Sequence, residues 1–297
     1  MIHVCTVAAA ARAAEVRVLA HSIAGALPAA RFLWVVCGPF DQATLGGLDG
    51  GEIASMSAVC PPRREPATRS RSKAAGSDPE VATPDVALSL LRRPGCDGVL
   101  FVAPQVVLFS SVPELFTGAP GADVVLVPSV ISPEALAASD LPASELRSLR
   151  LGVFSTSLVA VTPTPNAERF LRWWSDRAHT VAAPPGNRHE LRPWLNLAPA
   201  LFAGIRVLRS PRYAVGRENL PERHVEGNPE DGITVDGTPL ACFDFAGLAD
   251  GSLEAAITDS RGDRQALESL VRWYRDRCRG AGAGVTPPAR ASTRRSS

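Results

Sequence analysis

A chain of 297 residues, 45% hydrophobic and 21% charged, is long enough for one large α/β domain or two small ones and can bury a sizeable core. Its formal net charge of +1 excludes a global pull towards nucleic acid or an anionic surface. Six cysteines without a C-x-x-C pair exclude a zinc-ribbon or dithiol redox motif, and no apolar stretch reaches the roughly 20 residues that span a bilayer.

Residues 2–7 read as a first strand and residues 11–26 as a helix with Val16, Leu19, Ala20 and Ile23 on one face. The alanine-rich start is not a signal peptide, because it lacks a basic beginning and is interrupted by Arg12 and Glu15; a soluble cytoplasmic protein is expected. Residues 32–37 form a short buried strand and residues 53–59 a weaker one. This βαβ opening predicts an α/β fold with a largely parallel sheet. Cys5, Cys37 and Cys242 lie in apolar runs and are expected as reduced core thiols.

Residues 61–80 are almost free of apolar side chains and read as a solvated loop. It carries Arg63, Arg64, Arg69, Arg71 and Lys73, the only lysine, but no interleaved aromatics, so nucleic-acid binding is not expected. Thr83-Pro84-Asp85 reads as a helix start, with an N-cap, a proline at the first helical position and an acid in the first turn. The strand at residues 98–102 follows, then a break at Ala103-Pro104-Gln105. Ser111 and Glu114 have capping-box spacing for a short helix at residues 113–116. Further on, residues 123–127 are strand, Ser132-Pro133-Glu134 a helix start, and residues 152–161 a long strand. Residues 166–179 form an amphipathic helix whose apolar side holds Phe170, Leu171, Trp173 and Trp174. Asp236-Gly237 is the turn of a hairpin over residues 233–240, and residues 265–277 are a last helix.

Several blocks in order resemble bacterial glycosyltransferases of the GT-A fold, akin to the glycogenin-like family eight. They are the opening MIHVCTVAA, the strand–break–strand unit at residues 98–109 with Val112-Pro113-Glu114-Leu115-Phe116, and Gly152-Val153-Phe154 with the Trp173-Trp174 helix. Trp194 through Phe202, the run from Val207 to Arg223, and Val235 through Gly247 complete the set. The resemblance implies a Rossmann-like nucleotide-sugar fold with a mostly parallel central sheet: a transferase domain over 1–250, a C-terminal helix at 251–280 packed on it, and a disordered tail at 281–297.

It also implies sugar transfer from a nucleotide-sugar donor, with Mn²⁺ or Mg²⁺ held by carboxylates and a histidine to neutralise the leaving diphosphate. The polar positions depart from that pattern. Where the resemblance places an Asp-x-Asp the chain has Ala103-Pro104-Gln105, and its expected histidine is Asp244, between Phe243 and Phe245. No metal ligand set is therefore expected. The donor-binding candidates are Thr6, Gln105, Arg192, Arg217 and Asp244, and Arg223 is a further cation able to meet a phosphate. Asp244 is either a substitute ligand at the donor or a solvent-facing acid of an alternating strand. Two functions follow: a transferase with a metal-independent or weakened site, or a degenerate relative that binds or scaffolds. The five histidines lack metal spacing, and His189-Glu190 reads as helix-start polarity.

Overall fold

The computed structural model describes residues 1–60, 78–117, 122–133, 143–181, 191–260 and 262–282. β1 (Ile2–Ala9) passes through a 3-10 turn (Ala10–Arg12) into α1 (Ala13–Ala26), and β2 (Arg31–Cys37), α2 (Gln42–Leu45), β3 (Gly51–Ser55) and α3 (Met56–Val59) follow. α4 (Pro79–Leu91) returns the chain to β4 (Gly98–Val102), and β5 (Val106–Leu108) leaves the break after it. Next come β6 (Val124–Pro128), α5 (Ala143–Leu151), β7 (Phe154–Val161), α6 (Pro165–Val181), α7 (Leu191–Trp194), α8 (Ala198–Leu201) and β8 (Ile205–Val207). The C-terminal part holds β9 (Val215–Gly216), β10 (Val225–Asn228), β11 (Gly232–Val235), β12 (Thr238–Pro239), β13 (Cys242–Asp244), α9 (Ser252–Thr258) and α10 (Arg264–Gly282).

The central sheet has seven strands in the order β3-β2-β1-β4-β7-β6-β8. β1, β2, β3 and β4 run parallel, as do β6 and β8, while β7 is antiparallel to both its neighbours. Continuous apolar runs explain this: every residue of β4 and β6 is buried, as expected of strands covered on both faces. Trp34 in β2 is fully buried and donates its indole N–H to the Ala8 carbonyl, 3.1 Å away. α1 presses Val16, Leu19, Ala20 and Ile23 into the same core. The order reverses between β1 and β4. A crevice at the carboxyl ends of those strands is where open α/β sheets bind ligands.

A second, three-stranded sheet runs β5-β13-β9, and a third is the antiparallel set β10-β11-β12. In the latter Asp236 and Gly237 take φ of 48° and 74°, the pair of positive values that a two-residue type I′ hairpin needs. α10 buries Leu267, Leu270, Val271 and Tyr274 in a second core with Phe243 and Phe245, and Tyr274 stacks on Phe245 with centroids 3.8 Å apart. Trp173 and Trp174 pack on Phe170, so they are core rather than a stacking platform.

Several local expectations need correction. α4 starts at Pro79, not Thr83: Asp78 caps the Glu80 N–H at 3.1 Å, and Asp78-Pro79-Glu80 supplies the same cap–proline–acid device earlier in the chain. Thr83 and Pro84 are buried inside the helix, where the Thr83 hydroxyl donates to the Pro79 carbonyl. The weak strand stops at Ser55, whose hydroxyl accepts from the Ala58 N–H and turns the chain into α3. Ser111 is no cap, because the turn after Val112 is 3-10 and Glu114 reaches Arg212 and Tyr213 instead. α10 runs through Gly282, so residues 281–282 are helix rather than tail. Residues 61–77, Glu134, His189-Glu190 and the rest of the expected tail lie outside the described residues.

Candidate functional site

β5 leaves the break after β4 and pairs antiparallel with β13, setting Asp244 opposite Val106; the Phe245 N–H donates to the Gln105 carbonyl at 3.1 Å. β13 also pairs in parallel with β9, which sets Gly216 opposite Asp244 and brings Arg217 alongside. Strand alternation sends Phe243 and Phe245 into the core and Asp244 out of it. Three distant segments thereby deliver Gln105, Arg217 and Asp244 to one cleft of about 270 Å³, which Ser129, Ser155, Ser157, Arg192 and Glu218 also line.

Each side chain has a distinct standing. Asp244 keeps one carboxylate oxygen on the Ala246 N–H at 2.8 Å. Arg217 donates to the Ser252 hydroxyl at 2.8 Å and makes no salt bridge among the described residues; its charge lines the cleft and helps hold the Glu218 and Asp250 carboxyls below their ordinary range. Arg192 is engaged otherwise, donating to the Phe154 carbonyl, to the Ser129 hydroxyl at 2.6 Å and to Glu218. Burial pushes the Glu218 carboxyl up, but hydrogen bonds and charge from Arg192 outweigh that and hold it below the ordinary range. Arg192 thus braces the wall of the cleft.

Two candidates do not reach the cleft. Thr6 is fully buried in β1 with its hydroxyl unpartnered, because the strand turns that position into the core. Arg223 is only 2% exposed and is not among the cleft residues. Tyr213 and Asn219 are structural. Asn219 accepts from the Gly216 N–H at 3.0 Å and donates to the Ser129 and Ala214 carbonyls, fixing β9. It also holds Ala214 in the left-handed region at φ 49°, backbone strain stored at the cleft wall. Cys242 beneath the cleft is buried and its thiol is pushed up to about 12, which removes it as a nucleophile.

The divalent metal implied by the resemblance does not fit these residues. Hard cations take several oxygen ligands, mostly carboxylate. Ala103 offers none, and the Gln105 side-chain oxygen already accepts from the Arg12 guanidinium at 3.0 Å. Among the described residues no three His, Cys, Asp or Glu side chains are grouped to hold an ion. Arg12 was missed in the sequence, where it registers only as a break in an apolar run; its place directly after the first strand of a βαβ unit was the available signal.

A larger groove of about 1090 Å³ between α1 and α10 shares no residue with the cleft and takes nothing from the carboxyl end of β1 or β4. Among the described residues no helix is long and apolar enough to cross a membrane.

The mostly parallel seven-stranded sheet with its helices is a fold of the GT-A glycosyltransferase type, as its likeness to solved structures shows. The galactosyltransferase LgtC, in complex with donor and acceptor sugar analogs, matches with TM-score 0.52 and 14% identity over 94% of this chain and 96% of its own. An active-site mutant of LgtC matches with TM-score 0.51 and 14% identity over 83% of this chain and 88% of its own. At such identity the likeness is one of fold. No protein-family profile matches the sequence, and no curated protein is detectably similar to it.

Two ionised carboxylates tie this region together and set an acid limit. Burial raises the Glu114 carboxyl, but the Tyr213 hydroxyl and Arg212 bring it net below the ordinary glutamate value of 4.5, the direction also found at Glu218. Groups depressed on folding contribute stability that is complete above the unfolded value and lost as pH falls through the folded one. Urea unfolding midpoints are therefore expected to drop as pH is lowered below about 4.5. The drop should be shallower in Glu114→Gln and Glu218→Gln; an equal slope in both variants would count against these pairings.

Proposed function

We propose that the cleft binds a nucleotide-sugar donor and that the protein transfers the sugar without a tightly held metal. The observation that carries this reading is the meeting of Gln105, Arg217 and Asp244 in one cleft beside the switch point of a GT-A-type sheet. Arg217 meets the donor diphosphate, since a guanidinium fork matches phosphate oxygens and its charge stabilises the leaving group as it departs. Asp244 accepts from donor hydroxyls through the carboxylate oxygen not spent on Ala246. Arg192 keeps the wall in place through Glu218 and Ser129. The 1–250 segment acts as the transferase unit, with the C-terminal helices packed on it.

The absence of a carboxylate pair at residues 103–105 favours a second reading, a binding or scaffolding protein that has lost chemistry. Titration calorimetry with UDP- and GDP-sugars, in EDTA and again in Mn²⁺, separates the two. Micromolar binding of one donor in EDTA, with slow release of its nucleoside diphosphate, is the expected result. Failure of every donor to bind under both conditions would leave only the scaffold.

A further inference from the structure

At the carboxyl end of β1 the chain makes its 3-10 turn, and Arg12 is the turn's last residue. At the carboxyl end of β4, the neighbouring strand, the break carries Gln105. The Arg12 guanidinium crosses from one strand end to the other and donates to the Gln105 side-chain oxygen at 3.0 Å. This bond spans the switch point, where the sheet opens and an anionic ligand is best received. Arg12 and Gln105 line a hollow of about 150 Å³ that shares Glu80, Gln105, Thr156 and Ser157 with the main cleft, so the two adjoin along those residues.

The charges around Arg12 suit a phosphate guest. A carboxylate at 105 would set a second negative charge beside the guanidinium, whereas the neutral amide orients it without adding one. Glu15 does pair with Arg12, but both side chains are about a third exposed, at 38% and 31%. Glu15 accepts from both Nε and Nη2 of Arg12, so a diphosphate of higher charge takes the guanidinium by displacing that carboxylate. Arg217 reaches the same amide's surroundings from β9.

We infer that Arg12, held by Gln105, is a diphosphate-binding residue that takes the charge-neutralising place of a divalent cation at the strand end. The inference rests on the donor-cleft reading above and adds a residue and a ligand group to it. Arg12 and Arg217 then both meet the diphosphate, and no ion is needed to bridge it.

The test measures affinity for UDP and GDP, and for uridine and guanosine, in EDTA and in Mn²⁺. Arg12→Ala is expected to weaken nucleoside diphosphate binding at least about tenfold while leaving the free nucleosides unaffected, because only the phosphate contact is lost. Arg12→Lys should recover part of the loss, since it keeps charge without the fork. Mn²⁺ should not strengthen wild type or rescue Arg12→Ala. In the triple variant Arg12→Ala, Ala103→Asp, Gln105→Asp, two carboxylates replace the guanidinium and binding should become Mn²⁺-dependent. Unchanged diphosphate affinity in Arg12→Ala, with Arg217→Ala weakened, would overturn this inference and leave the donor reading standing. A tenfold gain for wild type in Mn²⁺ would also overturn it. If wild type binds no nucleoside diphosphate at all, the donor reading itself falls.

Discussion

An Arg217→Ala variant is expected to bind its nucleotide-sugar at least about tenfold more weakly than wild type, with an unchanged melting temperature. Hydrogen bonds from a charged donor contribute about 1.5–3 kcal/mol each, and every 1.4 kcal/mol is tenfold in affinity. Among the described residues Arg217 has one hydrogen bond, to the half-buried Ser252 hydroxyl, which keeps its own bond to Asp250 at 2.6 Å when the guanidinium is removed. The same truncation at Arg192 would remove three hydrogen bonds at once and leave the Glu218 carboxylate with the Ser129 hydroxyl but no cation bonded to it, so its first effect would be on folding. Calorimetry and thermal melting on the two variants distinguish the roles. Equal donor affinity in Arg217→Ala and wild type would remove Arg217 from the donor site. Loss of melting temperature in that variant would make it another structural arginine.

The parts of the fold legible in the sequence are those that depend on local pattern. β4 and β2 from Phe32 on are continuous apolar runs, and β1 is broken only by His3 and Thr6; such runs announce parallel strands buried on both faces. The Asp236-Gly237 turn was equally plain, since few residues other than that pair tolerate two positive φ values. Boundaries were harder where one signal occurred twice. Asp78-Pro79-Glu80 and Thr83-Pro84-Asp85 both look like a helix start, and only the packing of Val81 and Ala82 into the interior decides for the first.

The site was legible in its members more than in its shape. Gln105, Arg217 and Asp244 come together through the β5-β13-β9 pairing, a set of contacts between segments remote in the chain that no periodicity encodes. Thr6 shows the opposite failure. Its strand is apolar on both sides, so alternation gives no hint that the hydroxyl faces inward. Arg12 depends on both kinds of information: a local one, its place at the end of a strand, and a remote one, the amide it meets across the switch point.

One close joint in that remote geometry is a glycine, and altering it should affect stability and binding together. At Gly216 a Cβ would lie 2.7 Å from the Asp244 carbonyl oxygen and 3.3 Å from its Cβ. The first obstacle is backbone, so no rotamer change relieves it. Gly216 cannot retreat either, because its N–H is held by Asn219 and its strand is bonded to β13. Its φ is not in the left-handed region, which isolates the effect as one of spacing rather than backbone strain. Gly216→Ala is therefore expected to destabilise the fold by about 1–3 kcal/mol, the usual range for overpacking. Asp244 moves with its own carbonyl, and a displacement of about 1 Å at a residue that positions the donor lowers turnover on the order of a hundredfold. Donor affinity should fall less than turnover, because Arg12 and Arg217 act through side chains that can follow the phosphate. Urea unfolding and single-turnover sugar transfer on purified Gly216→Ala measure the two effects separately. Wild-type values in both would mean that the β9–β13 spacing is not what aims Asp244 into the cleft.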